Sequence, residues 1–150
     1  MARVFTSSVL NAPIAQVWAR IRDFNALPTW NPNVSESEIE DGRPGDAVGC
    51  VRNFVLQDGG RLRERLLAFS DLEHACTYSI LDSPMPLSNY VASLRLLPIS
   101  DGERTYAEWS AEFDCNEGDQ ESLVASIGND VFLASFQNLE RQMSAEGAVR

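Results

Sequence analysis

Lysine is the residue type that this sequence lacks altogether. Its 150 residues include 12 basic side chains, all of them arginine, against 22 acidic ones, and the formal net charge is −10. Nucleic acids and anionic membrane surfaces are usually bound by basic patches, which so acidic a chain is poorly equipped to form. We therefore expect no nucleic acid among its partners.

Long apolar runs are also missing. No run approaches the roughly 18 residues expected of a membrane-spanning helix. The N-terminus lacks the charged region followed by an apolar stretch that marks a secretory signal. These absences predict a soluble, cytoplasmic protein with no stable membrane insertion.

Residues that serve metal and nucleophilic chemistry are scarce. The single histidine, His74, falls in a predicted turn, where solvation is more common than catalysis. Cys50, Cys76 and Cys115 are odd in number and lack metal-ligand spacing, which favours buried free thiols over a disulfide framework. No glycine-rich loop precedes a helix to hold a phosphate. We expect neither a metal nor a cofactor.

The order of hydrophobic patterns predicts one α+β domain spanning residues 1–150. A first strand at Arg3–Asn11 leads to a short helix after Pro13 and a further helical turn at Asn25–Trp30. Short connections make the following strands antiparallel. These predicted strands are Val34–Glu40, Val48–Leu56, Arg61–Ser70, Ala75–Leu81, Asn89–Leu97 and Thr105–Cys115. A long amphipathic helix at Asp119–Ser144 closes the chain.

Two charged residues fall on faces that are otherwise apolar. In the run from Arg61 to Leu67, alternation places Glu64 on the same strand face as leucines. In the preceding strand, Arg52 is likewise the one charged residue on an otherwise apolar face. A hairpin through 57–60 would set Arg52 opposite Glu64. One interpretation is an inward pair that faces a cavity; the other is a strand-edge carboxylate with Arg52 extended to solvent.

Further side chains on the same inward faces form a candidate ligand site. Tyr78 and Tyr90 would add polar groups, although each is equally compatible with a core tyrosine. The predicted apolar wall consists of Leu62, Leu66, Leu94, Trp109, Phe113, Val131 and Phe132. Gly128 and Ser135 interrupt the apolar stripe of the last helix, which indicates either cavity wall or close packing against a strand.

Several short motifs in this order resemble the START-like, helix-grip (SRPBCC) superfamily. Within it they resemble the polyketide cyclase/dehydrase-like branch, which includes plant lachrymatory factor synthase and is similar to the abscisic acid receptors. The resemblance covers nearly the whole chain. Its motifs are Ala12-Pro13, Val17-Trp18, Asp23-Phe24, Trp30-Asn31-Pro32, Gly49-Cys50-Val51-Arg52, Glu64-Arg65-Leu66, Asn89-Tyr90-Val91 and Trp109.

This resemblance implies a curved seven-stranded sheet that grips a long C-terminal helix around a pocket for a small, largely apolar molecule. It also implies that an arginine and a glutamate on adjacent strands, here Arg52 and Glu64, line that pocket. Three functions follow as hypotheses. The chain binds a hydrophobic molecule whose polar end these two residues orient; it is a cyclase, dehydratase or isomerase in which Glu64 moves a proton and Arg52 stabilises negative charge; or it is an interaction protein with a collapsed cavity. Oligomeric state, a dimer included, is left open.

Overall fold

An antiparallel β-sheet forms most of the fold in the computed structural model, which describes the backbone of residues 1–149 and the side chains of residues 1–146. The seven strands are β1 (Ala2–Leu10), β2 (Val34–Ile39), β3 (Val51–Leu56), β4 (Arg61–Ser70), β5 (Ala75–Asp82), β6 (Leu87–Ile99) and β7 (Arg104–Cys115). They lie in the order β1-β7-β6-β5-β4-β3-β2. Every described pairing is antiparallel, and the first strand pairs with the last.

Helices follow the first and the last strand, as the sequence predicts. The short ones are α1 (Ile14–Ile21) and α2 (Leu27–Trp30). The C-terminal helix has three consecutive parts: α3 (Glu117–Ala125), a π-helical segment (Ser126–Leu133) and α4 (Ala134–Val149). The curved seven-stranded sheet and this long helix confirm the predicted α+β helix-grip fold.

The concave face of the sheet and one side of the C-terminal helix form the core. On β7, alternate residues from Thr105 to Phe113 are buried, which is the period of a strand with one covered face. Trp109, at the middle of this strand, stacks on Phe132 of the helix with ring centroids 4.2 Å apart and planes 11° apart. This stack joins the sheet to the helix.

Gly128 lets the C-terminal helix approach β1 closely. A Cβ atom at this position would lie 3.3 Å from Cγ1 of Val4, and the hydroxyl of Thr6 donates a hydrogen bond to the Gly128 carbonyl at 3.2 Å. Of the two interpretations of this small residue, the structure therefore favours close packing against a strand.

Two carbonyl groups of the π-helical segment accept hydrogen bonds from side chains. Nδ2 of Asn33 donates to the Asp130 carbonyl at 2.7 Å, and Oγ of the buried Ser135 donates to the Val131 carbonyl at 2.6 Å. Segments of π-helix are rare and often occur at functional sites. Here the segment lies beside a mostly apolar hollow.

Several predicted element boundaries differ from the structure. Strand β3 begins at Val51 instead of Val48, because Gly49 has a φ of +93° and the Cys50 amide bonds back to the Ala47 carbonyl in a turn. His74 lies in a turn, as predicted; it is half-buried, and its ring meets the edge of Trp18 with centroids 5.7 Å apart. Within residues 1–149, no helix is long and apolar enough to cross a membrane.

Candidate functional site

A cavity of about 360 Å³ lies between the sheet and the π-helical segment. Its volume is near the lower end of the roughly 300–1,000 Å³ typical of small-molecule sites. Inward side chains of β3 to β7 form the floor, Ile127 and Val131 of the helix form the opposite wall, and Leu27 and Met85 contribute from loops and short helices. The surface is mostly apolar, with polar groups at two ends.

The deep polar end is the pair Arg52 and Glu64. The two residues are direct partners in the register of β3 and β4, and each is only 5% exposed. Nε of Arg52 donates to Oε1 of Glu64 at 2.7 Å, and Nη2 approaches the same oxygen at 2.6 Å. The two residues belong to the predicted inward set, and they face each other within the cavity floor.

Aromatic rings hold the Arg52 guanidinium in place. Its central carbon lies 3.8 Å from the ring centroid of Phe24 and 4.8 Å from that of Tyr78, both within cation–π range. Nη1 also donates to the Phe24 carbonyl at 3.2 Å. The Arg52 side chain is thus fixed from three sides, and its geometry is set before any ligand binds.

One oxygen of Glu64 is left without a donor. Both Arg52 contacts reach Oε1, and none of the described side chains donates to Oε2. Burial raises the pKa of Glu64 above its ordinary value, while the charge and hydrogen bonds of Arg52 offset part of that rise. The carboxyl group can therefore accept a hydrogen bond from a ligand or exchange a proton with it.

Two buried phenols stand next to this pair. The hydroxyl of Tyr78 accepts a hydrogen bond from Nε1 of Trp109 at 3.1 Å, so its own proton can be donated to the neighbouring Tyr90 side chain or to a ligand. Tyr90 packs beside Tyr78 with ring centroids 6.3 Å apart. Burial raises the pKa of both phenols, which keeps them protonated and able to donate.

The structure brings most of the predicted site residues to the cavity, although not all of them. Those that line it are Arg52, Leu62, Glu64, Tyr78, Tyr90, Trp109 and Val131. The other four, Leu66, Leu94, Phe113 and Phe132, are at most 2% exposed and do not line it. They share the inward face, but they belong to the buried core instead.

Some cavity residues carried no recognisable signal in the sequence. Leu27 comes from the irregular corner between α1 and β2, and Asp130 lies where the π-helical turns break the 3.6-residue period. Ile80 did carry a signal, because it alternates with Tyr78 along β5.

The cysteines and acidic groups do not form a second chemical centre. Cys50 is buried and Cys76 is half-buried, and burial raises the pKa of Cys76 to about 11, so it is a neutral thiol. Among the residues that the structure describes, no three His, Cys, Asp or Glu side chains are grouped so as to hold a metal ion. Arg52 and Glu64, at the polar end of the cavity, are therefore the main candidate functional groups.

A curved sheet that grips a C-terminal helix over an apolar cavity defines the helix-grip class of proteins. Residues 1–144 match the family model described as polyketide cyclase / dehydrase and lipid transport, and the chain belongs to this family. Membership suggests hydrophobic ligand binding. The closer resemblance to lachrymatory factor synthase is not confirmed.

Solved structures agree with this assignment. The protein XoxI from Bacillus cereus is 30% identical, with 95% of each chain covered and a TM-score of 0.85. A protein from Thermobifida fusca is also 30% identical, with 95% of this chain and 93% of that chain covered and a TM-score of 0.85. A protein from Nitrosospira multiformis is 29% identical, with 97% and 99% covered and a TM-score of 0.81.

Proposed function

We propose that this protein binds a small hydrophobic molecule in the cavity between the sheet and the C-terminal helix, with Arg52 and Glu64 orienting its polar end. The observation that carries the proposal is a buried ion pair in the wall of an otherwise apolar cavity. Two charges are costly to bury, and here no described side chain donates to the second carboxylate oxygen, Oε2. A ligand group at Oε2 would supply the missing hydrogen bond.

The cavity also supports this function over that of an interaction protein with a collapsed interior. Trp109 and Phe132 hold helix and sheet together on one side, while the π-helical segment and β3 to β5 stand apart around a hollow. The free energy falls when a hydrophobic molecule replaces water on an apolar surface of this kind.

The proposal extends to the domain organisation, location and partner of the protein. We propose that residues 1–150 form one ligand-binding domain, with Arg150 outside the described residues, and that the protein works in the cytoplasm on a small molecule and not on nucleic acid. The net charge of −10 supports this choice of partner.

A fluorescent ligand tests the proposal. N-phenyl-1-naphthylamine, an uncharged apolar dye, should bind with a 1:1 stoichiometry and gain fluorescence. Val131→Trp, which fills the cavity beside the helix, should weaken binding by about tenfold or more, because the wall is rigid and overpacking is costly. Val48→Trp is the matched control, since Val48 is exposed and outside the cavity. Equal affinity in both variants would place the dye elsewhere and contradict the proposal.

A second candidate is an enzyme of the cyclase, dehydratase or isomerase type. It is favoured by one observation: burial raises the pKa of Glu64 beside a fixed cation, which suits a general acid or base next to an anion stabiliser. Glu64→Gln distinguishes the two candidates once a substrate is found. Lost turnover with retained binding supports the enzyme, and unchanged turnover removes Glu64 from the mechanism.

A further inference from the structure

The deep end of the cavity is electrically balanced before any ligand enters. Arg52 and Glu64 are the charged residues of this end within the described chain, and they neutralise each other through Nε and Nη2. A ligand anion placed there would add an unpaired buried charge, which carries a large desolvation penalty. The arginine is therefore not available as a partner for a carboxylate, sulfonate or phosphate.

The mouth of the cavity carries negative charge. Asp58, in the β3–β4 turn, and Asp130, on the π-helical segment, are exposed and line the opening together with the neutral side chains of Asn33 and Gln57. Within the described chain, no basic side chain lines this rim. An anion would meet like charge at the entrance as well as a neutral site below it.

The hydrogen-bonding groups inside are complementary to a neutral molecule. Oε2 of Glu64 is an acceptor with no donor among the described side chains, and the hydroxyl of Tyr78, which accepts from Trp109, can donate its proton to a ligand in place of Tyr90. A ligand that carries an O–H or N–H group satisfies the first, and a nearby oxygen on the same ligand satisfies the second.

We propose that the cavity selects uncharged hydrophobic ligands that carry a hydrogen-bond donor for Oε2 of Glu64, such as phenols, alcohols and secondary arylamines, and rejects acids of the same size. This inference rests on the proposed function, because it assigns a ligand class to the same cavity. This selectivity arises from the mutually neutralised Arg52–Glu64 pair at the deep end of the cavity and from Asp58 and Asp130 at its mouth.

Two dyes with one skeleton test the inference. N-phenyl-1-naphthylamine has an N–H donor and no charge, and 8-anilinonaphthalene-1-sulfonate is the same molecule with a sulfonate. We expect the uncharged dye to bind the wild-type protein at least about tenfold more tightly, since that factor corresponds to about 1.4 kcal/mol and burial of an unpaired charge costs more. Affinities within threefold of each other would overturn the inference while leaving the proposed function standing; failure of both dyes to bind would overturn both.

Variants test whether charge, and not hydrophobicity alone, determines the relative affinity of the two dyes. Glu64→Gln removes the counter-charge of Arg52, so the sulfonate should bind at least about tenfold more tightly than to wild type while the uncharged dye gains nothing. The double variant Asp58→Asn with Asp130→Asn keeps the acceptor oxygen that Asp58 offers to the Gly60 amide and changes exposed groups only. At low salt it should strengthen sulfonate binding by about two- to fivefold. If Glu64→Gln fails to fold, this rim variant decides, and an unchanged ratio of the two affinities contradicts the inference.

Discussion

Arg52 donates from Nε to one oxygen of Glu64 at 2.7 Å, and its Nη2 lies 2.6 Å from the same oxygen. The alternative arrangement, in which each nitrogen meets its own oxygen, would satisfy the carboxylate fully. Here Oε2 is left for another group, and the pair lies in the cavity wall. We propose that this asymmetry links the buried charges to ligand binding.

Removal of one member of this pair should destabilise the protein strongly. Glu64→Leu leaves the Arg52 cation buried without a counter-charge, and we expect the free energy of unfolding to fall by about 3–5 kcal/mol. The double variant Arg52→Met with Glu64→Leu should recover most of that loss, because it buries no charge. Urea unfolding of the four proteins in a double-mutant cycle measures the coupling.

A surface pair provides the control for that cycle. Arg63 bonds to Glu40 and Asp82 on the outer face, where solvent screens the charges. Arg63→Met should cost no more than about 1 kcal/mol. A Glu64→Leu cost as small as this would mean that the Arg52 charge is solvated, against the buried geometry.

Adjacent residues of the π-helical segment should differ in their effect on stability. Phe132 is fully buried against Trp109, and we expect Phe132→Ala to lower the free energy of unfolding by about 3–5 kcal/mol. Val131 borders the cavity, so Val131→Ala removes few packing contacts and should cost about 1 kcal/mol or less. Denaturant midpoints compare the two variants. Similar losses for both would mean that the cavity is not where the structure places it.

Gly118 and Gly128 of the C-terminal helix have opposite steric requirements. A side chain at Gly128 would meet Val4 and Thr6, so Gly128→Leu should destabilise the protein by about 1–3 kcal/mol through overpacking. Gly118 has open space around the position of a Cβ atom, and Gly118→Ala should stabilise by up to about 1 kcal/mol. Thermal unfolding checks both signs, and a tolerated Gly128→Leu would contradict the close approach of helix and strand.

How much of this site can be predicted from the sequence depends on the kind of residue. Arg52 and Glu64 could be placed on facing strands because a strand has a strict period of two, and one charge among apolar residues marks the inward face. The same rule cannot say which inward residues border a hollow. Phe132 and Val131 are neighbours in sequence, yet the first fills the core and the second lines the cavity.

The parts that sequence reasoning missed come from irregular structure. The π-helical segment shifts the faces of the C-terminal helix, and the corner that carries Phe24 has no periodicity to follow. Residue Asp58, in the tight turn between β3 and β4, was predicted only as a turn. Its place on the rim depends on the path of the distant C-terminal helix.

The Arg22–Asp71 pair predicts a pH dependence of stability. Hydrogen bonds from Arg22 and from Nε1 of Trp18 hold the pKa of Asp71 at about 2, below the value of 3.8 usual for an aspartate. Because the folded pKa is the lower one, the contribution is present above about pH 4 and is lost as the pH falls towards 2. The melting temperature of Asp71→Asn should therefore lie below that of wild type at pH 6 and converge with it near pH 2. For Asp101→Asn, at an exposed turn, the difference in melting temperature from wild type should not close in this way between pH 6 and pH 2. A difference for Asp71→Asn that persists at pH 2 would contradict the stabilising role of the Arg22–Asp71 pair.

The most direct test of the account is a crystal structure of the protein with N-phenyl-1-naphthylamine bound. We predict that the dye occupies the cavity beside Trp109 and Val131, with its N–H group within hydrogen-bond distance of Oε2 of Glu64 and the Arg52–Glu64 contacts intact. Density for the dye outside the cavity, or a dye inside it whose N–H group points away from Glu64, would contradict the assignment of this pair as the polar end of the ligand site.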